Sequence, residues 1–156
     1  MTLLNSRSLH WIARLILGVA FLYAAIIKIA APLDFADSIA AFQILPTALI
    51  NIIALGLPWF ELACSLMVLT GFHLRAGALG LVAMLTVFTI AIASALLRGL
   101  SIDCGCFGSH SWLDSNPWIA LLRDVIFLTL ALFLSLQSLR QVGNSQQGLS
   151  KNLLSA

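Results

Sequence analysis

Four stretches of the chain consist almost entirely of apolar residues, covering 11–31, 47–72, 76–97 and 117–139. Each is roughly 20 residues or more. At about 1.5 Å per residue, each helix spans a hydrocarbon core about 30 Å thick. Four buried helices of a soluble domain would need amphipathic helices to cover them, and so short a chain has none to spare. The pattern therefore predicts membrane spans.

The polar breaks predict the connections. "APLDFADSIAAFQILP" (31–46) alternates apolar and acidic positions and reads as a short helix at the membrane interface. "GFHLR" is brief and makes the second and third spans antiparallel neighbours. The second stretch is long for a straight span and contains Gly56 and Pro58, which predicts tilt or a kink at Pro58. Asn116 reads as a cap ahead of Pro117 at the first helical position. Residues 1–140 form one membrane domain. Residues 141–156, ending in "GNSQQGLSKNLLSA", are polar and expected to be a disordered tail. Arg7 ahead of the first stretch mimics a signal peptide, but the apolar run exceeds the ~7–15 residues of an h-region and Lys28 interrupts its end. The expected fold class is an all-α membrane protein, a four-transmembrane-helix bundle, without internal repeats.

Composition strengthens this reading. Of 156 residues, 61% are hydrophobic and 9% charged, where soluble domains run near ~25% charged. Charge then orients the bundle. Arg7, Arg14, Arg75, Arg140 and Lys151 fall at the N-terminus, the second loop and the C-terminus. Asp34, Asp37, Asp103 and Asp114 fall in the first and third loops. Lys and Arg accumulate on the cytoplasmic side, so both termini are expected inside. The third loop is then expected to face the periplasm from the inner membrane.

That loop carries "SIDCGCFGS" (101–109), in which Cys104 and Cys106 flank Gly105. Three chemistries compete. A structural disulfide closing so small a loop gains only ~1.6 kcal/mol in the chain-entropy model, against ~4.7 for a hundred residues, and ring strain reduces it further. The same strain suits thiol–disulfide exchange, because strained, exposed disulfides are readily reduced, and Gly105 allows the backbone to bring the sulfurs together. A metal site is the third: Cys104, Cys106 and His110, with Asp103 or Asp114, offer a donor set for zinc or copper. An iron–sulfur cluster normally needs four cysteines and the chain has three. Cys64 reads as a small buried hydrophobe.

Ionisable residues inside spans are costly and default to paired or functional roles. Arg14, one turn from the inner end, reads as a snorkelling anchor. Lys28, Glu61, Arg98, Arg123 and Asp124 lie at mid-depth or toward the outer side, the side of the cysteines. Lys28 is expected to pair with Asp124 or Glu61, and a basic surround from Arg98 and Arg123 would favour thiolate. Tyr23, Trp59, Trp112 and Trp118 read as interfacial or packing aromatics. Gly77 and Gly80 allow close helix approach. His73 falls on the cytoplasmic side, away from the cysteines.

With these residues in view, the chain resembles the methylamine utilisation protein MauE family, itself similar to DoxX-like membrane proteins. The resemblance rests on "RLILGVAFLYAAIIKI", "LPWFELACSLMVLTG", "RGLSIDCGCFG" and "LLRD". It implies a multi-pass inner-membrane protein needed to mature the exported, disulfide-rich small subunit of methylamine dehydrogenase. It also implies a thioredoxin-like partner, MauD. Carried over, Cys104 and Cys106 are the redox pair, and Lys28, Glu61, Arg98, Arg123 and Asp124 match charged positions of the pattern; Asp103 is counted with them as supporting. The expectation is a membrane thiol–disulfide protein, with a lipid-soluble quinone near Arg98, Arg123 and Glu61 as a candidate second electron partner. No nucleic-acid partner is expected. A non-catalytic maturation scaffold and a metal carrier built on Cys104, Cys106 and His110 stay open as alternatives.

Overall fold

A computed structural model describes residues 6–100 and 116–154. Five α-helices make up the described residues: α1 (Ser6–Ala30), α2 (Pro32–Ala41), α3 (Thr47–Thr70), α4 (Leu74–Leu97) and α5 (Pro117–Leu154). Four of them contain runs long and apolar enough to cross a membrane: Leu9–Ala30, Thr47–Thr70, Leu74–Leu97 and Trp118–Gln137. These are the four expected spans. α1 packs on α3, α3 on α4, α4 on α5, and α5 returns to α1, closing a ring of four helices.

α1 shows why such a bundle belongs in lipid. Trp11, Leu15, Val19, Tyr23 and Ile26 recur at helical spacing and stay exposed on its outer face. Ala13, Leu17, Phe21 and Ala24 line the inner face and are buried. Both faces are apolar, and only a hydrocarbon solvent makes that outer stripe inexpensive. The core follows from the inner stripes: Leu17, Val68, Leu81, Leu85, Ala131 and Leu134 meet in its centre.

The ends of the helices have identifiable causes. α3 stops at Gly71, which adopts a left-handed φ of 78°. His73 is also left-handed, at φ 52°. Two such residues within three positions reverse the chain at once, as the short "GFHLR" link requires. α4 ends in a Schellman motif: Leu100 N donates to Ala95 O at 3.1 Å and Gly99 N to Leu96 O at 3.0 Å, with Gly99 at φ 70°. α5 begins as expected, Asn116 Oδ1 accepting from Trp118 N at 3.1 Å. Pro58 lies inside α3 without interrupting it.

α2 follows α1 directly, with Pro32 in its first turn. It is the short helix expected in the first loop, and one face packs on the bundle: Phe35 and Ile39 are buried against Ile50 and Ala54 of α3. α5 runs on to Leu154, through the polar stretch that begins at 141. No proline stands there to stop it.

Candidate functional site

Lys28 projects from the last turn of α1. Its Nζ meets Glu61 Oε2 of α3 at 2.7 Å, and the two side chains are 3% and 1% exposed. Of the two partners expected for Lys28, α3 supplies the one that takes its proton-rich head. The ammonium also lies over the Phe35 ring of α2, 5.0 Å from its centroid, and over the Phe88 ring of α4 at 5.6 Å. Two ring faces and a carboxylate thus replace water around the cation. Glu61 sits three residues beyond Pro58, on the same buried face. Pro58 lacks an N–H, so that turn of α3 has one backbone bond fewer.

Arg123 and Asp124 approach from α5. Nη2 of Arg123 lies 3.1 Å from Asp124 Oδ1, and Nε 3.3 Å from the same oxygen. Consecutive residues do not face each other on a helix, so the long arginine bends back to its neighbour. Their side chains are 13% and 3% exposed. Asp124, Arg123, Lys28 and Glu61 line one small space of about 20 Å³ together with Phe21, Phe88 and Phe127. A volume of ~10–15 Å³ suffices for one water, so about one water fits among the four charges. Two cations face two anions, which removes the net charge from a place where charge is costly. From the start of α5 the cluster lies ~10 Å inward, at ~1.5 Å per residue.

Arg98 takes a different position. It is exposed at the end of α4, with Nε donating to Ser94 O at 3.2 Å and Nη2 to Phe42 O at 2.6 Å. It ties the end of α4 to the end of α2 and takes no part in the buried cluster. Between α2, α3 and α4 lies a lateral groove of about 450 Å³, lined by apolar side chains that include Phe42, Phe60 and Phe88.

Arg14 corrects the expectation of a snorkelling anchor. It is buried, 8% exposed. Its Nε donates to Val68 O at 3.0 Å and its Nη2 to Leu69 O at 3.1 Å, while the guanidinium covers the Trp11 ring at 4.4 Å. These are carbonyls of the last turn of α3, which no intrahelical donor reaches. A cation there also complements the helix dipole. Gly71 makes room: a Cβ on it would lie 2.7 Å from Arg14 Nη2.

Cys64 is a free, buried cysteine, as expected. A Cβ on Gly80 would lie 2.5 Å from its sulfur, so α3 and α4 meet closely at that point. Cys104, Cys106, Asp103 and His110 fall outside the described residues. Their segment joins the Schellman end of α4 to the capped start of α5. Among the described residues, no cluster of three or more His, Cys, Asp or Glu side chains is placed to hold a metal.

Sequence reasoning missed the aromatic envelope of Lys28, the groove, and the capping role of Arg14. Gly71 was the available signal for the last, because a glycine ending α3 marks the carbonyls that a nearby cation can serve.

The comparisons agree with this picture. The model of the family described as methylamine utilisation protein MauE matches residues 6–137. The chain is 34% identical over 124 residues to the methylamine utilization protein MauE of Paracoccus denitrificans, covering 78% of this chain and 66% of that protein. It is 31% identical over 125 residues to the MauE of Paracoccus versutus, covering 80% and 67%. The MauE of Methylophilus methylotrophus is 27% identical over 156 residues, covering 99% and 82%. The chain thus spans about two thirds of the length of the two Paracoccus relatives. No solved structure matches it. With four apolar spans, an interior ion cluster and a family match over most of its length, the chain belongs to the MauE family of methylamine utilisation proteins.

Proposed function

We propose that this protein is an inner-membrane thiol–disulfide protein whose Cys104 and Cys106 form and open a disulfide on the periplasmic side. Both termini then lie in the cytoplasm, in line with the distribution of Lys and Arg. A thioredoxin-like protein of the MauD kind exchanges disulfides with the pair. An exported, disulfide-rich protein such as the small subunit of methylamine dehydrogenase is the client. One observation supports the reading: the two cysteines, one residue apart, fall in sequence in the segment between α4 and α5. Asp103 and Arg98 flank that segment on the α4 side and Arg123 and Asp124 follow it on α5.

Cys104→Ser or Cys106→Ser should trap a mixed disulfide with the thioredoxin-like partner, visible as a reducible adduct on non-reducing gels. Full activity in vivo of both single variants and of the double variant would end the redox reading.

The charge balance of the interior cluster favours a second reading, a non-catalytic maturation scaffold, because a neutral, paired network needs no substrate. It predicts that Asp124→Asn abolishes co-purification of the partner while cysteine substitutions leave it intact.

A further inference from the structure

The ring of helices is made of two halves. α1 packs most extensively on α3, and α4 on α5, while α1 and α5 share the least extensive side. Each half carries its own neutral ion pair: Lys28 with Glu61 in the first, Arg123 with Asp124 in the second. The pairs meet where the halves meet, because all four side chains line the same space of about 20 Å³. α4 adds only Met84, Leu85 and Phe88 to that lining, so it brings no competing charge. Four such charges can be paired in two ways, and each way is neutral. The second way crosses the seam, joining Lys28 to Asp124 and Arg123 to Glu61. Several features favour an exchange. Lys28 is a compact charge on a flexible four-carbon stem. Its other neighbours are the Phe35 and Phe88 ring faces, which impose no fixed hydrogen bond. A water in the space solvates the ammonium in transit. Arg123 reaches its own neighbour with both nitrogens on the single oxygen Oδ1, at 3.1 and 3.3 Å, whereas arginine binds a carboxylate best through two parallel bonds. The seam is also permissive. Beside the space, Phe21 and Phe127 meet across it as tilted rings 5.7 Å apart, without a directional bond. Near the start of α1, a hydrogen bond of 2.9 Å joins His10 Nδ1 to Gln137 Oε1 and pins α5 there.

We infer that the four charges form a pairing switch between the two halves of the bundle. Lys28 moves between Glu61 and Asp124, and Arg123 makes the complementary move. The α4–α5 half shifts against the α1–α3 half as they do, about the His10–Gln137 end. The crossed pairs draw the halves together; the observed pairs let them part. Neither state leaves a buried charge unpaired, which is the condition for passing between them at low cost. Packed helices have discrete arrangements and are not continuously deformable, so the two pairings define two states. The switch is independent of the redox reading.

Composition makes the test direct. Glu61 is the chain's one glutamate, and Lys28 is one of two lysines, the other being Lys151. The full chain in lipid bilayers, isotope-labelled at lysine Nζ and glutamate Cδ, is measured by solid-state NMR distance experiments. A second sample carries the carbon label at aspartate Cγ instead. Wild-type lysine should show both contacts, each in about a tenth of the chains or more. The aspartate contact should vanish in Asp124→Asn. Glu61→Gln should raise it several-fold, because Asp124 is then the one carboxylate left in the chamber, with circular dichroism confirming the helical content. Lys151→Arg leaves Lys28 as the only lysine and keeps the unmodified cluster decisive should either of those variants fail to fold. A lysine that touches one carboxylate alone, whichever it is, overturns the switch. So does an aspartate contact that survives Asp124→Asn, or a folded Glu61→Gln protein whose lysine finds no aspartate.

Discussion

Arg14 and Lys28 pose the same problem at two depths of one helix. Each is a long cation on α1, buried and turned toward α3. Their solutions differ. Arg14 spends its donors on two backbone carbonyls that α3 leaves open at its end, so it completes a helix that needed completing. Lys28 meets a carboxylate that is itself an intruder in the apolar interior. Nothing in the backbone of α1 or α3 requires that pair, and two leucines would pack there at less cost. A buried arginine that closes a helix end has a structural explanation. A buried ion pair beside a second pair and a water-sized space calls for a functional one.

Substitutions can break this comparison. The largest effect is expected at the ion pair. Lys28→Met leaves the Glu61 carboxyl in a dry interior and should cost ~3–5 kcal/mol, measured by unfolding in detergent. Lys28→Met combined with Glu61→Leu should regain most of that stability yet leave the protein inactive in vivo. A stable and fully active double variant would make Lys28 the structural twin of Arg14. Arg14→Met should cost less, ~1.5–3 kcal/mol, for hydrogen bonds from a charged donor, and activity should return wherever stability is restored by other means. Gly71→Ala tests the same junction. The left-handed backbone and the approach of Arg14 together should cost ~1–2 kcal/mol. The smallest effect belongs to Cys64: Cys64→Ala should cost about 1 kcal/mol or less and leave disulfide exchange untouched. A loss of exchange would bring Cys64 into the redox chemistry.

The spans were legible because their length and lack of charge need no partner to be read. Tertiary choices were harder, for a physical reason. In α1 the lipid-facing stripe of Trp11, Leu15 and Val19 is as apolar as the inward stripe of Leu17 and Phe21. Hydrophobicity therefore does not reveal how the helix is rotated. Sequence gives the depth of Lys28, which left Glu61 and Asp124 as equal partners; rotation chose Glu61. Arg14 was misread on the same ground, since a cation near a span's end reaches headgroups or a neighbour's carbonyls according to which way it faces. The groove left no trace, because every residue along it is of the kind expected in any span. Helix starts and stops fared better: Asn116 and Pro117 announce α5 through local chemistry alone.

Phe88 stands at the boundary of two unlike compartments. One side of its ring borders the greasy trench open to lipid, and the other lies near the ammonium of Lys28. A partition a single phenyl thick insulates poorly. A change at this one position therefore touches both the apolar trench and the surroundings of the lysine. The fold has thereby set a lipid-accessible trench and a charged chamber back to back, with Phe88 in the wall of each.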